Sequence, residues 1–230
     1  MSLFHQDFLQ HSWPSINRGA WDYEDDFSSD NWTDADATNI GVGSGVLSFD
    51  SKKDGSNDKS YYDYGSTVSD TAWVLRFKSV LSTVTQGSLN PEFHIFTGLA
   101  SGTGSASVSQ DHILWDYAAN NFDGLLYQFQ SRDNDTYGAN STGLNTMAHT
   151  LQAETTYNEL IRTSATTATG ELFSDSGYST SVESESITIP SNVTNLRYIS
   201  VANLVGTGGD SVIIGSYDDM KFADGVTVAP

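Results

Sequence analysis

The amino-acid sequence predicts an all-β protein in which two antiparallel sheets pack as a jelly-roll sandwich. Short runs rich in Val, Ile, Tyr, Phe and Trp alternate with clusters of Gly, Ser, Asn and Asp, a pattern typical of strands joined by turns. Asp54-Gly55 and the stretch Gly206–Gly209 are two such turn signals. No stretch of useful length has the 3.6-residue period of a helix, and many short strands at this spacing predict a sandwich or a barrel.

Twelve segments carry the strand pattern. In chain order they are Val46–Phe49, Ser60–Tyr64, Ala72–Val80, Glu92–Leu99, His112–Tyr117, Leu125–Gln130, Ala148–Gln152, Tyr157–Thr163, Glu171–Phe173, Ser186–Ile189, Leu196–Asn203 and Val212–Phe222. Because side chains alternate between the two faces of a strand, Trp73, Leu75 and Phe77 are predicted to share a core face. The same rule places Asp218 on the inward face of the last strand, so Asp218→Ala is expected to destabilise the domain more than Glu183→Ala.

The charge of the chain excludes two classes of partner. With 10 Lys and Arg against 29 Asp and Glu, the net charge is −19. Such a chain repels the phosphate backbone of nucleic acids and an anionic membrane surface. No window approaches the roughly 20 apolar residues that a membrane span needs, and the first residues lack the basic start of a signal peptide. Cysteine is absent, so disulfides and thiolate chemistry play no part.

The chain is predicted to form one jelly-roll domain, residues 22–230, preceded by an N-terminal arm, residues 1–21. The arm carries Phe4, Phe8 and Trp13, and exposed aromatic residues on a free tail would be a liability. The arm therefore either folds back on its own domain or docks on a neighbouring subunit, in which case it would drive self-assembly.

The order of three pairs of segments resembles that of laminin-G-like domains in the concanavalin A-like lectin/glucanase superfamily. The resemblance covers roughly residues 22–223 and is carried by Asp25–Trp32 with Gly45–Phe49, Thr156–Thr163 with Leu172–Tyr178, and Leu196–Asn203 with Tyr217–Phe222. It implies two stacked antiparallel sheets in which the first and last strands are neighbours. The superfamily includes glycan binders, glucanases, polysaccharide lyases and structural modules, so the fold alone does not settle the function.

The segments singled out as nearest to the catalytic patterns of enzymes in this superfamily match those patterns only in part. Retaining glucanases of this fold carry Glu-x-Asp-x-Glu on one strand, where the carboxylates face one cleft. The nearest match, Glu183-Ser-Glu185, lacks the Asp partner. Alginate-lyase-like members use an Arg, a Gln-x-His and a Tyr, and Glu92-Phe93-His94 has Glu in place of the Gln. The sequence therefore predicts a protein that is not an enzyme.

The resemblance also implies a structural Ca²⁺ ion. Calcium prefers carboxylate and carbonyl oxygens, and in related glucanases it joins the N-terminal region, a glycine carbonyl and an Asp of the last strand. The matching positions are Asp25 in the Glu24–Asp26 region, Gly45 and Asp218. The alternative is that Asp218 accepts hydrogen bonds within a turn.

Glycan binding would require aromatic side chains on the concave sheet or its loops, because sugar rings stack on aromatic rings. The candidates are Trp115, Tyr117, Tyr61, Tyr62 and Tyr64, although aromatic residues at strand spacing also build cores. Taken together, the sequence predicts a non-catalytic recognition or structural module on the surface of a virion or a cell, extracellular, whose partner is a glycan or a surface protein. The alternative is a polysaccharide-degrading enzyme, a glucanase or a lyase, of the same fold.

Overall fold

The computed structural model describes residues 20–34, 39–51, 58–88, 93–104, 110–120, 124–135, 143–205 and 210–230. They contain fifteen strands and no helix, which confirms the all-β prediction. The strands are β1 Tyr23–Asp25, β2 Thr33–Asp34, β3 Ile40–Gly43, β4 Val46–Asp50, β5 Lys59–Asp63, β6 Trp73–Thr85, β7 Phe93–Ala100, β8 Gln110–Asn120, β9 Gly124–Asp135, β10 Gly143–Thr150, β11 Thr155–Ser164, β12 Thr167–Phe173, β13 Ser181–Thr188, β14 Tyr198–Val205 and β15 Val212–Asp224.

The strands form two antiparallel sheets that face each other as a jelly-roll sandwich. The eight-stranded sheet has the order β13-β12-β11-β6-β15-β4-β3, with β1 also paired to β15. The seven-stranded sheet has the order β10-β9-β8-β7-β14-β5-β2. Tyr23 of β1 lies opposite Phe222 of β15, so the first and last strands are neighbours, as the resemblance implied.

The core fills the space between the sheets and is built from alternating strand positions. Trp73, Leu75 and Phe77 of β6 point inward, as predicted, and their side chains are buried. From the opposite sheet, β8 contributes Trp115 and Tyr117 to the same core cluster. Burial of large apolar side chains is the main stabilising contribution in such a sandwich, about 25 cal/mol for each Å² removed from water.

A β-bulge in β15 reverses the predicted orientation of Asp218. The register of β15 against β6 shifts between Asp218 and Lys221, and Asp219 has a positive φ of 49°. The extra residue lets Tyr217 and Met220 both point into the core, because a bulge interrupts the two-residue alternation. Asp218 instead lies on the outer face, half-buried, where Lys78 donates a hydrogen bond to it at 3.1 Å. The inward assignment of Asp218 was wrong.

The predicted arm lies almost entirely outside the described residues, which begin at Ala20. Self-association through residues 1–21 stays a prediction, and light scattering of the full chain beside a chain that starts at residue 22 would test it. Within the described ranges, no helix is long and apolar enough to cross a membrane.

Candidate functional site

The outer face of the seven-stranded sheet carries an unusual number of buried polar side chains. On β8 the alternation that sends Trp115 and Tyr117 into the core sends His112 and Asp116 to the outer face. Both of these outward side chains are nevertheless buried. Burying a polar group costs free energy unless the group is hydrogen-bonded. The buried polar side chains therefore distinguish this face from an ordinary solvated sheet surface.

A small cavity of ≈ 20 Å³ opens on this face. The polar part of its lining consists of Lys59, Gln110, His112, Arg132 and Ser200, which come from β5, β8, β9 and β14. The apolar part consists of Phe96, Ala100, Leu114 and Ala202. A cavity of this volume has room for about one water-sized group.

A chain of four side chains on β7, β8 and β9 holds one wall of the cavity in place. Asp116 Oδ1 lies 2.8 Å from His94 Nδ1, and Asp116 Oδ2 accepts a hydrogen bond from Gln130 Nε2 at 2.8 Å. Gln130 Oε1 in turn accepts from Arg132 Nε at 2.6 Å. Because each member is held by the next, the network fixes the direction of the Arg132 guanidinium at the cavity.

Lys59 is the most unusual group in the cavity. Its residue is only 1% exposed, and Nζ donates a hydrogen bond to the carbonyl of Gly102 at 2.7 Å. Burial lowers the pKa of Lys59 to about 7, and no neighbouring carboxylate offsets that effect. A buried amine with no ionic partner tends to lose its charge in this way.

His112 and Gln110 each present a buried polar atom with no hydrogen-bond partner, namely Nδ1 of His112 and Oε1 of Gln110. Burial, and next the positive charges of Arg132 and Lys59, lower the pKa of His112 to about 3. The imidazole is therefore neutral at pH 7. An unpaired buried polar atom in a native protein calls for an explanation, such as a catalytic role or a bound water or ion.

Two tyrosine rings lie beside the cavity on the same face. Tyr61 lies opposite Ser200 in the pairing of β5 with β14, and Ser200 lines the cavity. Tyr198 is two residues from Ser200, which corresponds to about 7 Å along a strand. The Tyr61 and Tyr198 rings contact each other edge to face, with centroids 5.5 Å apart, and both side chains are half-buried.

Of the five aromatic residues predicted to bind glycans, only Tyr61 lies on this face. Trp115 and Tyr117 are 0% exposed in the core, so their assignment as stacking platforms was wrong. The reason is that both faces of β8 carry apolar residues, and the alternation alone does not say which one faces the core. Tyr62 stacks on Tyr23 and Tyr64 packs against Phe222, so these two rings support the main core instead.

The three positions predicted to bind calcium converge near the bulge of β15. β1 and β4 lie along the same side of that strand, with Asp25 opposite Met220 and Leu47 opposite Tyr217. The hairpin turn that contains Gly45 comes directly before β4.

The carboxylate oxygens at these positions already have protein donors. Asp25 accepts hydrogen bonds from the Tyr23 hydroxyl at 2.6 Å, Trp32 Nε1 at 3.1 Å and the Phe27 N–H at 2.7 Å. In the described part of the chain, no group of three or more His, Cys, Asp and Glu side chains could hold a metal ion. Calcium at this place stays a prediction from the resemblance.

Sequence reasoning did not identify the cavity residues Lys59, Gln110, His112 and Arg132. One signal was present, because Gln110-Asp111-His112 has the Gln-x-His pattern, whereas Glu92-Phe93-His94 has Glu in place of the Gln. Alternation places the Gln110 and His112 side chains on one face of β8, and both line the cavity.

No protein-family model matches the chain, and no curated protein matches it in sequence. Solved structures do match. The carbohydrate recognition domain of Emp47p has a TM-score of 0.57 at 11% identity over 89% of this chain and 96% of that domain. A putative beta-glucanase from Mycobacterium abscessus has a TM-score of 0.57 at 11% identity, covering 89% of this chain and all of that one. The CBM2 module of the evolved Dit of Lactobacillus casei BL23 phage J-1 has a TM-score of 0.53 at 12% identity, covering 91% and 97%.

At these identities the comparisons establish the fold. The chain has the concanavalin A-like sandwich that lectins and glucanases share. Lectins and enzymes both occur among the similar structures, so the choice between binding and catalysis depends on the residues of this chain.

Proposed function

We propose that the chain is a non-catalytic glycan-recognition module that binds its ligand on the outer face of the seven-stranded sheet. The observation that carries the proposal is the half-buried pair Tyr61 and Tyr198 next to a cavity with polar lining. Ligand sites in proteins combine an apolar surface with a few convergent polar groups in this way. The ring faces supply apolar contact to the C–H side of a sugar, and the cavity supplies hydrogen bonds to its substituents.

The similar structures support the proposal in two respects. One of them is a carbohydrate recognition domain, and another is a module of a phage protein. Together with the laminin-G-like order of segments in the sequence, they favour a surface module, either extracellular or on a virion. A surface protein is the alternative partner, and a protein array probed beside the glycan array would identify it.

The second candidate function is cleavage of a polysaccharide, which the arrangement of Gln110, His112 and Arg132 around one cavity favours. A putative beta-glucanase shares the fold. Two observations make binding the better proposal. A pKa of about 3 makes His112 a weak base at neutral pH, whereas an effective general base has a pKa near the working pH. The carboxylate of Glu183 accepts hydrogen bonds from the backbone N–H groups of Ala148 and His149, so both of its oxygens already have donors within the protein.

A glycan array with wild-type protein and three variants tests the proposal. Tyr61→Ala and Tyr198→Ala should each lower the affinity for the bound glycan by about tenfold or more, which corresponds to about 1.4 kcal/mol. Tyr157→Ala is the matched control, because this half-buried tyrosine belongs to the other sheet. Reducing ends or unsaturated products released from any polysaccharide by the wild type would replace the proposal with the enzyme function. Glycan binding that survives both substitutions would move the site elsewhere.

A further inference from the structure

The cavity holds a buried cation that the described residues do not neutralise. Lys59 donates one hydrogen bond, to the neutral carbonyl of Gly102, and no carboxylate among the described residues forms an ion pair with it. The neighbouring acidic side chains on β5 and just before it are engaged elsewhere, since Asp58 accepts from the N–H of Asn39 and Asp63 pairs with Arg197. Burying an ammonium group without a counter-ion costs several kcal/mol.

A second cation faces the same space. Arg132 is also buried and lines the cavity together with Lys59 and the neutral imidazole of His112. These three are the titratable groups of the lining. The chain has only 10 Lys and Arg against 29 acidic residues, so two cations in one small cavity are a local exception to a strongly negative molecule. Local positive charge of this kind attracts an anionic group.

We propose that the cavity is a subsite for the carboxylate group of an acidic saccharide whose sugar ring rests on Tyr61 and Tyr198. This inference rests on the proposed glycan recognition and adds the class of ligand. The cavity of ≈ 20 Å³ has room for about one water-sized oxygen, so one oxygen of the carboxylate enters it and the sugar ring stays outside. The carboxylate accepts hydrogen bonds from Lys59 and Arg132.

Binding of a carboxylate in the cavity is coupled to protonation of Lys59. Burial holds the pKa of Lys59 at about 7, so part of the protein carries a neutral Lys59 at pH 7. A bound carboxylate favours the ammonium form, and by linkage the complex takes up protons as it forms. Affinity for an acidic saccharide should therefore fall as the pH rises from 7 to 9, while affinity for a neutral saccharide should not change.

The test compares acidic oligosaccharides with their methyl esters by titration calorimetry, on a panel of uronic acid oligomers. Wild type should bind an acidic member more tightly than its ester, and Lys59→Met should lower that affinity at least tenfold and leave the ester unaffected. Lys78→Met is the control, because Lys78 lies on the outer face of the other sheet and pairs with Asp218. Circular dichroism confirms that each variant is folded.

The outcomes distinguish the carboxylate subsite from glycan recognition itself. Equal binding of acids and esters, unchanged in Lys59→Met, overturns the carboxylate subsite and leaves glycan recognition standing. Tighter binding of sulfated oligomers than of uronic acid oligomers overturns the choice of carboxylate. Stabilisation by acetate or sulfate alone, without binding of any saccharide of the panel, overturns the acidic saccharide as the ligand of the cavity. Absence of binding to any member of the glycan array as well overturns the proposed function.

Discussion

The carboxylate of Glu183 accepts a hydrogen bond from the backbone N–H of His149 at 2.8 Å, and its second oxygen accepts one from the N–H of Ala148 at 2.7 Å. Glu183 lies on β13, at one edge of the eight-stranded sheet, and the two N–H groups lie on β10, at one edge of the seven-stranded sheet. The pairing of β10 with β9 is irregular between Thr146 and Thr150, which leaves these donors available. One side chain therefore joins the edges of the two sheets.

Glu183→Ala should consequently destabilise the domain more than Asp218→Ala, the reverse of the expectation from the sequence. Losing an acceptor of two backbone hydrogen bonds costs about 1–2 kcal/mol, whereas a half-exposed ion pair such as Asp218 with Lys78 contributes about 1 kcal/mol or less. Urea unfolding of both variants measures the difference, with Glu24→Ala as an exposed control. A larger loss for Asp218→Ala would contradict the bulge assignment.

The two predictions that failed, for Asp218 and for the pair Trp115 and Tyr117, both rested on strict alternation of side chains along a strand, and each failed for its own reason. Strict alternation predicts faces correctly along a regular strand, as it does for Trp73, Leu75 and Phe77 in β6. A single extra residue, such as the one in the β15 bulge, reverses the alternation beyond it. In β8 both alternating sets contain apolar residues, so the pattern predicts a strand without saying which side faces the other sheet.

The cavity could not be predicted because its residues are distant in the sequence. Lys59, His112 and Arg132 lie on β5, β8 and β9, and they approach one another only once the seven-stranded sheet is assembled. A single Lys or His in an alternating run is normally a solvated residue. What marks these residues as a site is their shared burial around one cavity, together with a Lys59 amine that has no ion pair and a His112 Nδ1 that has no hydrogen-bond partner, and this is visible only in the folded structure.

Gly98 on β7 is required by the close approach of β8. A Cβ at this position would lie 2.2 Å from the carbonyl oxygen of Ile113 and 3.0 Å from the Cα of Leu114. Both are backbone atoms that cannot rotate away, so Gly98→Ala should destabilise the domain by about 1–3 kcal/mol. Gly43→Ala is the control, because nothing lies within 4 Å of a Cβ built there. Equal melting temperatures of the two variants would show that β7 and β8 can separate without cost.

Asp25→Asn tests whether hydrogen bonds or calcium stabilise the start of the sandwich. The charged carboxylate accepts from Tyr23, Trp32 and Phe27, and hydrogen bonds to charged groups contribute about 1.5–3 kcal/mol. We expect the same loss of stability in calcium and in EDTA, measured by scanning calorimetry. A melting temperature of wild type that rises with calcium, together with a loss in Asp25→Asn that appears only in calcium, would support the calcium site that the resemblance implies.

Lys59 should make the stability of the protein depend on pH between 7 and 10. In the folded state its pKa is lowered from 10.5 to about 7, so in this window the unfolded chain binds a proton that the folded protein does not. Stability rises with pH wherever the unfolded state binds more protons. Below pH 7 the folded protein carries the full cost of a buried ammonium, and that cost disappears as the pH approaches 10.5.

The Lys59→Met variant isolates this contribution from all other titrating groups. At pH 6 the variant should have a larger free energy of unfolding than wild type. This difference should narrow by about 2–4 kcal/mol towards pH 10, since each pKa unit corresponds to about 1.4 kcal/mol. Chemical unfolding of both proteins at each pH measures the difference, and Lys78→Met should show no such trend. A constant difference from pH 6 to pH 10 would mean that Lys59 titrates as it does in water, and the cavity would then already contain its counter-ion.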